Sequence, residues 1–324
     1  MTGTRKIAVT LAVLVIAYAL AFVFFVDSSE LPSLGWRTIA VLGLAALIQL
    51  GGLWMFGELF RHGIEATGSR ISTGLGFRAA LVGATVARLL PVGGAVTPVA
   101  MAWAVRDRAS GAGGAAVRAT GLNYGGLLIT TGACLLIASR GPSMESWGDG
   151  LAVASLLALV VGLIVLVGAS RLGTLGDLLP KRLRRRFGQG LIDVPIDLRS
   201  HAFLWARLGA EVVVLWVVLT TFGIDLGIAQ LVAAFGLSQI AAGIPGTPGG
   251  AGFAEAGLVG ALALFGVGGA VAPVLIFRII SYWVPAGAGL LAGSAAFVRS
   301  SGSVKEHEHP VHSARSRGET RIGD

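Results

Sequence analysis

A chain of 324 residues that is 54% hydrophobic and only 13% charged, with a mean hydropathy of +0.80, has too little polar surface for a water-soluble fold. Its net charge of +8 would suit nucleic acid, but Lys and Arg cluster between the apolar runs; anionic lipid and the positive-inside rule explain them there, and nucleic acid is excluded as a partner. The one cysteine, Cys134, excludes an intramolecular disulfide and a Cys-rich metal or redox motif.

The expected fold class is all-α, a polytopic membrane helix bundle. Six segments are long enough to cross a bilayer: 7–26, 36–57, 119–139, 150–170, 203–222 and 271–297. The first follows Arg5 and Lys6, as a signal peptide would, yet its length of about 20 apolar residues and the lack of a small-x-small site before Asp27 make it a retained span. Two further apolar regions, 78–105 and 228–267, are broken midway by a proline and paired glycines, at Pro91-Val92-Gly93-Gly94 and at Pro248-Gly249-Gly250. Halves of roughly 12 to 16 residues, at ~1.5 Å each, fall short of a ~30 Å hydrocarbon core and predict re-entrant helical hairpins. Ordinary or kinked spans are the alternative, since Pro and Gly are common in membrane helices.

Charge placement favours the hairpins. With the N-terminus cytoplasmic, Arg61, Arg70, Arg78, Arg106, Arg108 and Arg118 fall inside together with the linker 171–201, and Asp27, Glu30, Glu145, Asp149 and Asp225 fall outside. Both termini are then cytoplasmic. Residues 7–139 read span, span, inward-opening hairpin, span; residues 150–297 read the same order in the opposite orientation, an inverted repeat within one transmembrane domain, 1–297. The basic stretch 181–186, KRLRRR, is expected to rest on anionic headgroups. The tail 298–324 reads as disordered; His307, His309 and His312 flank Pro310 without an apolar pattern, and neither a metal nor a cofactor is expected.

Irregular backbone at membrane depth must face protein or water, because unpaired amides in lipid cost several kcal/mol each. The outgoing helix after Gly250 or Gly252 presents free N–H groups and a positive dipole end to the middle of the bilayer, as would the helix after Gly94. The embedded charges nearby are Arg88, Arg278, Glu255 and Glu211. Glu255 either caps its own helix or serves a proton or headgroup, and the two arginines either pair with Glu255 or Glu211 or grip a lipid phosphate. Trp36, Trp147, Tyr282 and Trp283 lie near span ends and read as interfacial anchors. No Walker loop, HExxH or GxSxG occurs, so phosphate-loop, metalloprotease and hydrolase chemistries lack their residues.

"TPGGAGFAEAGLVGAL" followed by "APVLIFRIISYWVPAGAGLLAG" resembles the C-terminal signature of the lysylphosphatidylglycerol synthase transmembrane family, a flippase-like domain. In that family a P-G-G-x-G-x-x-E stretch precedes a span with an embedded arginine. Here these are Pro248, Gly249, Gly250, Gly252, Glu255 and Arg278, and "ARLLPVGGAVTPVAMAWAVRDRASG" resembles the first-half counterpart, with Arg88, Pro91, Gly93 and Gly94. The resemblance covers residues 7 to 298 or so and implies a lipid-binding and translocating role for these residues. Two departures bear on the headgroup: Gly94-Ala95-Val96-Thr97 and Leu122-Asn123-Tyr124 stand where family members often carry charged pairs. The aminoacyl-transferase domain of the fused proteins is not among these residues, so the chain is not expected to act as an enzyme. The expected function is translocation of an anionic or zwitterionic lipid or lipid-linked intermediate across the cell membrane. The alternatives are an intramembrane enzyme of lipid or envelope synthesis and a non-transporting accessory protein. Expected partners are membrane lipids, with a second copy of the chain or a separate synthase.

Overall fold

Long apolar runs with few breakers have only one way to satisfy their backbone in lipid, the helix. The computed structural model describes residues 35–90, 93–141, 148–178, 191–244 and 246–292, with scattered positions between 12 and 31. Among the described residues the protein is helical and contains no strand. We number the helices α1 Trp36–Glu65, α2 Thr73–Leu89, α3 Thr97–Val105, α4 Ala112–Ala138, α5 Gly148–Ser170, α6 Leu172–Asp177, α7 Leu198–Thr221, α8 Ile228–Ala242, α9 Phe253–Leu264 and α10 Val271–Ala292. Five of these, α1, α4, α5, α7 and α10, are long and apolar enough to cross a membrane, so the protein is a multi-pass membrane protein. The described positions of the predicted first span, between Ala12 and Phe24, are helical as well.

Several boundaries differ from the expected ones because interfacial polar residues continue a helix once its apolar turns have formed. Helix α1 runs on to Glu65, carrying Glu58, Arg61 and Glu65 on the same helix, where Arg61 Nε donates to Glu58 at 2.7 Å and Arg61 also pairs with Glu65. Helix α4 begins at Ala112, so Arg118 is not a loop residue: it is 1% exposed, and its Nη2 donates at 3.1 Å to the Pro195 carbonyl and to Ser200 Oγ. The N-caps follow the ordinary chemistry. Ser72 Oγ accepts from the Leu75 N–H at the start of α2, and Asp197 Oδ1 accepts from the Ser200 N–H at the start of α7.

The core lies where α1 crosses α7 and α4, and α8 packs on α4 and α9. Leu59, Phe60, Leu122, Leu204, Val214, Leu215 and Phe235 are buried there. Helix α5 packs on α4, with Gly162 against Gly125 allowing close backbone approach. Its other face is apolar and open: Leu157 is 60% and Ile164 65% exposed, as expected of a helix solvated by lipid.

The two regions predicted to break do break. Helix α2 ends at Leu89 and a short 3-10 turn, Gly93–Val96, leads into α3; helix α8 ends at Ala242 and another, Pro248–Gly250, precedes α9. With 17, 9, 15 and 12 residues, none of the four arms has the length of the spanning helices. The arms of each pair touch one another, and the two breaks also meet. Pro91, the basic stretch 181–186 and the tail 298–324 lie outside the described residues.

Candidate functional site

The meeting of the breaks requires glycine. Gly249 and Gly250 have φ of 58° and 69°, the left-handed region. A Cβ on Gly249 would come within 2.9 Å of the Arg88 Cα and collide with the Tyr282 ring, and one on Gly250 would sit 2.6 Å from the Ala242 Cα. Gly249 lets the second break lie directly against the end of α2, and Gly250 lets it fold back onto the end of α8.

Helix ends buried in this way leave backbone groups without partners, and side chains supply them. Tyr282 Oη donates to the Arg88 carbonyl at 2.6 Å and lies 3.4 Å from that of Pro248. Arg88 returns two bonds, from Nη1 to the Ala84 carbonyl at 2.9 Å and from Nη2 to the Ser281 carbonyl at 2.8 Å. Arg278 Nη2 reaches the Gly249 carbonyl at 3.4 Å. Glu255 accepts the Gly252 N–H at 2.7 Å through Oε2, capping α9.

The other oxygen of Glu255 accepts from Arg278 Nε at 2.7 Å and from the Tyr18 hydroxyl of the N-terminal helical segment. Glu255 therefore caps its own helix, as one of its two readings expected, and Arg278 is paired with it, as one of the two readings of the arginines expected. Tyr18 also stacks on Tyr282 and sets its ring edge against Trp283, at centroid distances of 6.3 and 5.5 Å. The guanidiniums of Arg88 and Arg278 lie 5.9 and 5.0 Å from the centre of the Tyr282 ring.

Tyr282 is not an interfacial anchor. It is 1% exposed, because α10 passes through a π turn at Ile279–Trp283, and the extra residue in that turn swings its ring inward. Trp36, by contrast, is 75% exposed at the start of α1. Trp147 lies outside the described residues.

Glu211 has a different partner from those expected. Arg207, one turn earlier on α7, donates from Nη2 to Glu211 Oε1 at 2.6 Å, and Gln49 Nε2 on α1 reaches the same oxygen at 3.2 Å. No family motif singles out Arg207; the available signal was the spacing, Arg and Glu four residues apart within an otherwise apolar span.

Between these groups lies a cavity of about 150 Å³ lined by Arg88, Gly94, Arg207, Glu211, Arg278 and Tyr282, with Thr120, Asn123, Tyr124 and Gln239 among its polar walls. At ~30 Å³ per water it has room for about five waters. Of the predicted site residues, Arg88, Gly94, Gly249, Arg278 and Glu211 line it directly. Glu255 is tied to it through Arg278, Pro248 and Gly250 form the adjoining turn, and Gly93 opens the facing one. Among the described residues no group of three metal-ligating side chains occurs.

No curated protein matches the chain. The family model described as the lysylphosphatidylglycerol synthase TM region matches residues 7–289, which takes in α1, α4, α5 and α7 whole, α10 as far as residue 289, both breaks and the cavity between them. On that coverage the protein is an integral membrane protein belonging to the lysylphosphatidylglycerol synthase transmembrane family.

Proposed function

We propose that this protein is a carrier that moves a lipid headgroup between the leaflets of the cell membrane. The observation that supports the reading most is the juxtaposition of the breaks at Gly94 and Gly249 around a polar, charge-bearing cavity inside an otherwise apolar bundle. Buried charge and irregular backbone are both expensive in lipid, and a protein that serves only as an anchor would need neither. In this reading the helix pairs α2–α3 and α8–α9 are re-entrant hairpins from opposite faces, related as the two halves of an inverted repeat, with both chain termini cytoplasmic. The headgroup enters the cavity while its acyl chains remain in the bilayer, and no covalent step is assigned to the protein.

Leaflet exchange in proteoliposomes tests this directly, with fluorescent lipids carrying anionic and zwitterionic headgroups. The native chain accelerates exchange, and alanine at Gly250, Glu255 or Arg278 abolishes it. Undiminished exchange in all three variants overturns the reading.

A further inference from the structure

Away from the central cavity, α3 and α4 share a second hollow with the short helix α6. Its walls are Pro98, Val99, Val117, Leu172, Leu175 and Leu191, and almost all of its surface is apolar. Hydrogen bonds hold its roof in place. The chain returns past the start of α6, where Asp193 Oδ1 accepts the Thr174 N–H at 3.0 Å, the Thr174 hydroxyl also donates to Asp193, and the Val194 N–H donates to the Ser170 carbonyl at 3.0 Å. Gly176 lies so close to Leu191 that a Cβ on it would come within 3.2 Å of the leucine Cδ1. The roof is thus fixed, yet Leu175 within it stays 45% exposed.

At Ala102 and Gly113 this hollow adjoins a polar one that holds Thr67, Trp103, Arg106 and Ser110, so the two form one trough. The Thr67 hydroxyl is taken up by the Ile64 and Ser110 carbonyls, and that of Ser110 by Ser69. The Arg106 side chain is 53% exposed; its guanidinium lies 4.6 Å from the centre of the Trp103 ring, and its acidic neighbour Asp107, 3.7 Å away, points largely into solvent. An apolar wall followed by an indole and then a cation matches the order of groups in a lipid, from acyl chain through the interface to an anionic headgroup. We infer that the trough docks one lipid of the cytoplasmic leaflet, with an acyl chain along the apolar half and an anionic headgroup at Arg106. The inference rests on the carrier reading for the leaflet it faces and for what docking leads to. Thr97 and Thr120 line the central cavity, while Pro98, the next residue, and Val117, one turn earlier on α4, line the trough. A docked lipid therefore waits on the far side of the same two helices. Because lipid tails are as apolar as the trough, the headgroup end supplies the preference over bulk lipid.

The test uses the purified full chain in phosphatidylcholine nanodiscs containing a trace of lipid with a diazirine in one acyl chain, under either a phosphatidylglycerol or a phosphatidylcholine headgroup. After illumination, peptide mapping compares labelling of Val99, Val117 and Leu175 with that of Leu157 and Ile164 on the open face of α5. The ratio of trough to α5 labelling is expected to be about two- to fivefold higher with the phosphatidylglycerol probe, the factor that an exposed ion pair supplies. Arg106→Gln makes the two ratios equal and leaves the trough labelled. Leu175→Trp fills the apolar half and lowers labelling of Val99 and Val117 with both probes. Equal ratios in the native chain overturn the inference even if neither variant folds, as does an Arg106→Gln protein that keeps the preference. Trough labelling far below that of α5 with both probes means that a second copy covers the surface, and overturns it as well. A chain labelled as expected that exchanges no lipid overturns the carrier reading alone, and a chain that exchanges lipid without the headgroup preference overturns this inference alone.

Discussion

Arg278 Nε and Glu255 Oε1 lie 2.7 Å apart, joining the middle of the last span to the first turn of α9, and both side chains are almost wholly buried. The pair fixes the break at Gly249 from one side. Removing a single member strands the other charge, at a cost of about 3 to 5 kcal/mol for a buried pair. Glu255→Ala and Arg278→Ala are each expected to lower the thermal midpoint in detergent sharply, whereas the double neutral variant Glu255→Gln/Arg278→Gln lowers it by less than the two single changes combined. Additive losses would show that the pair is not a unit.

A second prediction concerns Gly249. Its left-handed backbone alone costs about 1 to 3 kcal/mol for any other residue, and its Cβ would meet the Arg88 backbone, which cannot move aside as a flexible side chain would. Gly249→Ala should separate the breaks. Cysteine crosslinking between positions at the end of α2 and in the Pro248–Gly250 turn, efficient in the parent, should fail in this variant.

Tyr18 attaches the N-terminal helical segment to the charged pair while Val23 and Phe24, further along it, are 74% and 75% exposed. Tyr18→Phe keeps the ring contacts with Tyr282 and Trp283 and removes only the hydroxyl. The expected outcome is faster reaction of an engineered cysteine at the exposed Ala256, in a Cys134→Ala background, with a membrane-permeant thiol reagent, with little change in thermal midpoint. An unchanged rate would mean that Tyr18 does not restrict access to Glu255.

At the polar end of the bundle Asp197 caps α7 and faces His62 Nε2 at 2.9 Å. Burial disfavours its charge, but hydrogen bonds from Ser200 and the neighbouring His62 outweigh that and hold the carboxyl at about 2, below its ordinary 3.8. A depressed carboxyl stabilises the folded protein above its unfolded value and loses that contribution as pH falls toward the folded one. Native protein should therefore lose stability between about pH 4 and 2 by a step that Asp197→Ala lacks, with the variant about 0.5 to 2 kcal/mol less stable at neutral pH from loss of the cap. Superimposable acid transitions would remove Asp197 from the account.

The hairpin topology can be tested from the two sides of the membrane. In a Cys134→Ala background, Ser110→Cys should react with an impermeant maleimide only from the cytoplasmic face and Asp225→Cys only from outside. Labelling of Ser110→Cys from outside would make α2 and α3 a crossing.

The spans and both breaks were legible because their signals are local: bilayer-length apolar runs in one case, proline beside paired glycines in the other. The pairing of Arg278 with Glu255 was also legible, since embedded opposite charges seek one another. Arg207 was harder to find. Its partner Glu211 is shared with Gln49 of α1, and that arrangement depends on how α1 and α7 pack. Tyr282 was misplaced for a different reason: it was read as lying near a span end, whereas the span runs from Val271 to Ala292 and puts Tyr282 in its middle, inside the bundle.

The wide turn at Ile279–Trp283 does more than turn one ring inward. Before it, α10 must aim Arg278 at Glu255; after it, the same helix must bring the Pro285 and Ala286 carbonyls to Thr85 Oγ1, at 3.4 and 3.5 Å. A uniform helix offers a single phase for both tasks. The π turn acts as a phase shifter, letting one rod satisfy two docking surfaces set at different angles, so deleting one residue within it should preserve the span while forcing the helix to give up one of its two contacts.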